Sequence, residues 1–169
     1  MKKALILVAE HYEDLEVWYP LLRLKEAGWA VTTAGVESKK DYKGKHGYPI
    51  TVDTSIEEVR ADDFDCVLVP GGWAPDYIRR HPVALELVSQ MNSAHKIVAA
   101  ICHGGWVLAS ANILRGRYCT SFSAIKDDMV NAGAHWSDKE VVIDKNLVTS
   151  RRPADLPAFC QAILGLEAR

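Results

Sequence analysis

Residues 97–109 read Ile97-Val98-Ala99-Ala100-Ile101-Cys102-His103-Gly104-Gly105-Trp106-Val107-Leu108-Ala109. The five apolar residues that open this stretch, short and unbroken, have the pattern of a strand buried on both faces. After the glycines, Trp106, Val107, Leu108 and Ala111 recur at helical spacing. The junction must therefore turn a strand sharply into a helix, and its glycines are the residues that permit the bend. A buried strand feeding a helix is the repeating unit of a parallel sheet, because the chain needs a crossover to return to the same edge.

The same unit recurs upstream. Lys2–Ala9 is an apolar strand that runs into a polar turn, Glu10–Asp14; Leu15, Trp18, Leu21, Leu22 and Lys25 then mark one face of a helix that Gly28 stops. Ala30–Ala34 is the second strand, Cys66–Val69 the next, and Ile97–Ile101 follows a helix over Val83–Met91. Between them, Glu37–Pro49 is polar and contains glycine, which predicts a hairpin excursion before strand character returns at Ile50–Val52 and a capped short helix begins near Ser55. The last third predicts a hairpin of Val141–Asp144 and Leu147–Ser150 around Lys145-Asn146, then a closing helix over Leu156–Leu164. This alternation predicts an α/β fold, a mostly parallel sheet with helices on both faces. No repeat, linker or low-complexity segment divides it, so residues 1–169 are expected to form one domain.

The 169 residues are 49% hydrophobic and 25% charged, enough for one core without disulfides or a structural metal. Lys and Arg number 20 against 22 Asp and Glu, with no long single-sign block, which argues against nucleic acid or an anionic membrane as partner. The longest apolar run, Ala4–Ala9, falls far short of the roughly 20 residues of a membrane-spanning helix. With no cleavable leader before the first strand, a cytoplasmic location is expected. Four cysteines without a C-x-x-C pair, and histidines without i, i+4 spacing, predict no metal site, no redox dithiol and no cofactor.

In an open α/β sheet, ligands bind beyond the carboxyl ends of the strands, where helix N-termini direct their N–H groups into the crevice. Glu10–Glu16, Pro70–Asp76 and Cys102–Trp106 reach that edge. Cys102 occupies a nucleophile elbow, where oriented dipoles favour a thiolate with a pKa of roughly 3.5 to 7.5. The other reading is an inert cysteine closing a core strand; the flanking His103-Gly104-Gly105 favours the nucleophile. Pro70-Gly71-Gly72 is either a plain turn or a place where bare N–H groups, with that of His103, hold an oxyanion. Glu13 and Glu16 either share the thiol's proton or are solvated acids complementing the helix dipole. Cys66, Cys119 and Cys160 read as core, Lys39, Lys40, Lys43 and Lys45 as a solvated hairpin, and His11 and His46 as residues of the crevice mouth.

Together, Ala100-Ile101-Cys102-His103-Gly104, Glu13-Asp14-Leu15-Glu16, Pro70-Gly71-Gly72 and Ile125-Lys126-Asp127-Asp128 resemble the PfpI family. These are intracellular cysteine peptidase-like proteins related to the parkinsonism-associated deglycases, within the class I glutamine amidotransferase-like superfamily. Arg23–Gly28, Gly44–Tyr48, Leu114–Arg117 and Pro153–Leu156 extend the similarity over nearly the whole chain. The resemblance implies a flavodoxin-like three-layer sandwich, a reactive Cys102 beside His103, and a glutamate from the first turn against the cysteine, at Glu16 or Glu13, with Glu16 favoured. It implies a homo-oligomer, a dimer or hexamer, in which an acid from an adjacent subunit completes a Cys-His-acid set; the matching position is Asp76. Gly71, Gly72, Gly104, Trp73 and Phe122 are the expected oxyanion and substrate-binding positions. Departures are Asp76, a carbon shorter than the glutamate common there, Gly105 for a frequent proline, Phe122 for a tyrosine and Trp73 for an arginine, which makes the mouth more apolar.

The expected function is a stress-related enzyme in which the Cys102 thiolate adds to a reactive carbonyl or a peptide, as in glyoxalases, deglycases or intracellular peptidases. The alternative is a noncatalytic redox sensor or holdase that works by oxidation of Cys102. A noncatalytic binding domain is weakened by retention of the cysteine.

Overall fold

The computed structural model describes residues 1–167. In chain order the elements are β1 (Lys3–Val8), α1 (Asp14–Glu26), β2 (Ala30–Gly35), β3 (Asp41–Lys43), β4 (Pro49–Thr51), β5 (Thr54–Ser55), β6 (Cys66–Val69), α2 (Ala74–Ile78), α3 (Pro82–Ser93), β7 (Ile97–Ile101), α4 (Gly105–Ser110), β8 (Tyr118–Cys119), α5 (Lys126–Asn131), β9 (His135–Trp136), β10 (Val141–Asp144), β11 (Leu147–Ser150) and α6 (Leu156–Glu167). Seven strands form one sheet in the order β10-β11-β7-β6-β1-β2-β5. Every pairing in it is parallel except that of β10 with β11. Helices α1 and α6 pack together over one face, while α2, α3, α4 and α5 form the layer on the other. This is the expected α/β sandwich, and β1, β6 and β7 lie at its centre because their residues are almost wholly apolar and inaccessible to water.

Helix α1 differs from expectation in which stripe it buries. Val17, Pro20, Leu21 and Leu24 face the sheet together with Glu16, whereas Leu15 and Leu22 are 56% and 58% exposed. The helix carries two apolar stripes, and the sheet takes the one that brings Glu16 inward. Trp18, on the other stripe, lies edge-on to Tyr48 with ring centroids 5.3 Å apart. Pro20 has no N–H to offer the Glu16 carbonyl four residues earlier, so the helix lacks a rung at that point.

The excursion after β2 is the β3–β4 hairpin, with Ile50 in a strand that pairs with β3 and stays outside the main sheet. The capped segment near Ser55 is one 3-10 turn, Ile56–Glu58, in which Ser55 Oγ accepts the Glu57 N–H at 3.3 Å. The hairpin around Lys145-Asn146 and the closing helix are as expected. Helices α2 and α5 and strands β8 and β9 have two to six residues each, too few for a periodic pattern to show in the sequence. Among the described residues, no helix is long and apolar enough to cross a membrane.

Candidate active site

The adjacent strands β7, β6 and β1 release their loops at the same edge of the sheet. Backbone hydrogen bonds stitch the loops together: the Glu13 N–H donates to Gly71 O at 3.2 Å, the Trp73 N–H to His11 O at 2.9 Å and the Lys45 N–H to Tyr12 O at 2.8 Å. Gly72 has φ 73°, and a Cβ there would lie 2.4 Å from the Glu13 backbone nitrogen, so only glycine lets the two loops approach this closely. The result is a cleft of about 180 Å³ lined by Glu13, Lys45, Gly72, Trp73, Cys102, His103, Phe122, Arg152 and Pro153. A larger depression of about 300 Å³, between Val59–Asp62 and α3, is lined by neither cysteine nor histidine.

Cys102 follows β7 directly and has φ 60°, a left-handed backbone that is strained for a side chain of this kind. Its Sγ lies 3.3 Å from His103 Nδ1. The backbone N–H groups of His103 and Gly72 hydrogen-bond the sulfur and favour its thiolate, as does the charge of Lys45. Burial outweighs them, and Glu16 adds repulsion, so the thiol is pushed up to about 12. The expectation of a strongly depressed thiol pKa is thereby corrected. The turn Cys102–Gly104 is 3-10 and α4 has only six residues, so few aligned peptides stand against the desolvation.

Glu16 lies under the cysteine, fully inaccessible to water. Its Oε2 accepts the Gly71 N–H at 2.7 Å, and its Oε1 has no hydrogen-bond partner among the described residues. Burial, with the charge of Glu13 adding to it, pushes the Glu16 carboxyl up to about 8, so at neutral pH it holds a proton beside the sulfur. Glu13 faces the cleft instead, with its Oε2 2.7 Å from Lys45 Nζ and 3.6 Å from His46 Nε2. His103 is stacked on Phe122 at 5.0 Å and edge-on to Trp106 at 5.1 Å, while the Trp106 indole N–H donates to Asp128 at 3.0 Å. Burial and then Lys45 hold the His103 imidazole below its usual range, so it is neutral at pH 7.

Other expected positions fall elsewhere. The Gly71 N–H is taken by Glu16, which leaves Gly72 and His103 as the donors at the sulfur. Gly104 does not line the cleft; a Cβ on it would lie 2.6 Å from the Val69 carbonyl oxygen, so its smallness serves packing against β6. Asp76, on α2, is also outside the cleft of its own chain, and its carboxylate pairs with Arg80. Cys66, Cys119 and Cys160 are buried and unpaired thiols.

Sequence reading missed Arg152 and Pro153 in the cleft wall, and Lys45 is a partner of Glu13 rather than part of a solvated hairpin. Nothing local marks Lys45, which lies among three other lysines; the Tyr12–Gly44 bridge and the Asp14 contacts to the same loop turn it inward. Glu13, Asp14 and His46 each bring a potential ligand atom within 4.8 Å of the others. The Asp14 oxygens already accept the His46 and Tyr48 N–H groups at 2.9 Å, and Glu13 is neutralised by Lys45. The trio thus clasps the 44–48 loop onto α1.

The sequence profile of the DJ-1/PfpI family matches residues 2–166. A deglycase of Pyrococcus abyssi is 48% identical over 97% of this chain and 98% of its own length. A Bacillus subtilis protein that is named, provisionally, a cysteine protease is 41% identical over 98% of both chains. Among solved structures, a two-domain protein of Anabaena variabilis with DJ-1/ThiJ/PfpI-like and ferritin-like domains superposes with a TM-score of 0.97 at 43% identity. That match covers 99% of this chain and 48% of the Anabaena chain. With a profile match over almost its full length and close relatives aligned end to end, the chain belongs to the DJ-1/PfpI family.

Proposed function

We propose that the protein is a cysteine-dependent enzyme acting on reactive carbonyl compounds or peptides through the Cys102 thiolate. The observation that carries this reading is the strained Cys102 backbone at φ 60°. A non-glycine residue there costs on the order of 1 to 3 kcal/mol and persists only where the surrounding structure holds it, as it does at many active sites. That conformation lifts the sulfur into the cleft between two backbone N–H groups and a neutral imidazole.

In the proposed reaction His103 Nδ1 takes the thiol proton as Sγ bonds to the carbonyl carbon. The carbonyl π pair moves to oxygen, where the Gly72 and His103 N–H groups hold the developing charge. Protonated Glu16, below the sulfur, removes the negative charge that would otherwise oppose the thiolate. The cleft volume of about 180 Å³ is below the roughly 300 Å³ at which drug-sized pockets begin, which favours small carbonyls over peptides. Among the described residues no carboxylate is hydrogen-bonded or ion-paired to His103, and Asp76 has its side chain 42% exposed. Both facts support a homo-oligomer in which Asp76 reaches the His103 of a neighbouring subunit.

The test is turnover of methylglyoxal and of a fluorogenic peptide amide, side by side, by the native protein and Cys102→Ala in reducing buffer. Cysteine-dependent turnover of methylglyoxal is the expected result. No turnover of either substrate by a thiol shown to be reduced would replace the enzyme reading with the redox or holdase role.

A further inference from the structure

Two arginines follow β11, and their commitments differ. Arg151 donates through Nε and Nη2 to the two oxygens of buried Asp155, at 2.8 and 3.2 Å, and through Nη1 to Asp138 at 2.8 Å. Arg152 has no ion pair or side-chain hydrogen bond among the described residues, yet it lines the Cys102 cleft. Asp138 feels the Arg152 charge, but its oxygen is held by Arg151. The backbone at Arg152 is extended, with φ −166° and ψ 169°, as Pro153 after it requires. Strand β11 lies next to β7 in the sheet, so Arg152 rises beside the strand that leads into Cys102.

The remaining charges of the cleft cancel. The Glu13 carboxylate is 2.7 Å from Lys45 and His103 is neutral, leaving the Arg152 guanidinium, which feels Asp138 only at a distance, as the cleft charge with no direct partner among the described residues, over a wall of Trp73, Phe122 and Pro153. An unpaired guanidinium at the rim of a small, largely apolar cleft attracts a carboxylate or phosphate on whatever enters, and its planar donor fork fits either group.

We propose that Arg152 is a specificity-determining residue that selects anionic substrates for Cys102: small carbonyl compounds that carry a carboxylate or phosphate near the reacting carbon. The proposal rests on the reading of Cys102 as the nucleophile of this cleft.

The test needs no turnover. Iodoacetate and iodoacetamide are nearly isosteric, and each alkylates a thiolate as the Sγ–C bond forms, the C–I bond breaks and iodide leaves with the electron pair. Only iodoacetate is anionic. The rate of each at Cys102 is followed by mass spectrometry, and the ratio of the two rates is compared among variants. In Arg152→Ala the iodoacetate-to-iodoacetamide ratio falls about two- to fivefold, the yield of one solvent-exposed ion pair. It is retained in Arg152→Lys, falls further in Arg152→Glu, and the differences vanish at about 1 M salt, where the screening length is roughly 3 Å. Arg60→Ala, on the opposite edge of the sheet, leaves the ratio unchanged. An equal ratio in the native protein, Arg152→Ala and Arg152→Glu would overturn the proposal. A protein that shows these shifts but turns over neither methylglyoxal nor peptide keeps the anion preference and loses the enzyme reading.

Discussion

Glu16 and Gly71 are joined by a 2.7 Å hydrogen bond in which the carboxyl oxygen accepts the backbone N–H, out of reach of solvent. A Cβ on Gly71 would lie 2.4 Å from that oxygen and 2.6 Å from Cys102 Cβ. Gly71→Ala therefore has to displace one of the two side chains. Overpacking of this kind costs about 1 to 3 kcal/mol, visible as a lower melting temperature. Misplacement of the sulfur is expected to slow iodoacetamide alkylation on the order of tenfold or more. Native-like reactivity in a folded Gly71→Ala would show that the contact does not position the thiol.

The Glu16 carboxyl, raised from 4.5 to about 8 in the folded protein, makes stability depend on pH. Between those values the native state holds a proton that the unfolded chain has released, so stability falls as pH rises through this window. Glu16→Gln lacks the titration, and in urea melts its stability relative to the native protein should climb from about pH 4.5 to about pH 8. Parallel pH profiles for the two proteins would refute the assignment. Above pH 8 the same variant should also alkylate faster than the native protein, because no carboxylate opposes its thiolate.

Lys45 favours the Cys102 thiolate and neutralises Glu13, which is only 6% exposed. Lys45→Met is expected to slow Cys102 alkylation at pH 7 about two- to fivefold, the scale of a partly screened charge pair. Lys45→Arg should restore most of the rate. Equal rates for native protein and Lys45→Met would mean that the loop charge does not reach the sulfur.

The other thiols set a stoichiometry. Cys66, Cys119 and Cys160 are wholly inaccessible to water and none of them lines the cleft; because burial raises the Cys102 thiol as well, it is access to the cleft, not pKa, that sets Cys102 apart. Native protein should take up one equivalent of iodoacetamide, at Cys102, and the urea-unfolded chain four. Peptide mapping that found a second thiol modified at a comparable rate would contradict the packing around it.

The parts of this fold legible in sequence are those whose pattern is local. The runs Ala4–Val8, Cys66–Val69 and Ile97–Ile101 are continuous and apolar because their strands are covered on both sides. The elbow after Ile101 announces itself by Cys102-His103-Gly104-Gly105. The face of α1 was not legible, since Leu15, Trp18 and Leu22 compete with Val17, Leu21 and Leu24 and only the sheet decides between them. Arg152 and Lys45 carry no local signal either; they enter the cleft through β11 and the β3–β4 hairpin, elements joined to the cysteine by tertiary contacts alone. The low-pKa expectation for Cys102 considered the dipoles, which sequence shows, without the desolvation, which needs coordinates.

The stitched loops have a consequence for the order of assembly. The cleft draws on residues from Glu13 to Pro153, and parallel pairings between distant segments close slowly. A ribosome-bound or partly folded chain that has made β1, β6 and β7 but not β11 lacks its last wall. In such a chain the cleft is missing the wall that carries Arg152, so Cys102 meets oxidants and electrophiles of either charge alike. Discrimination by this site is therefore acquired at the end of folding, and the rate at which newly made chains become selective reports how quickly β11 docks.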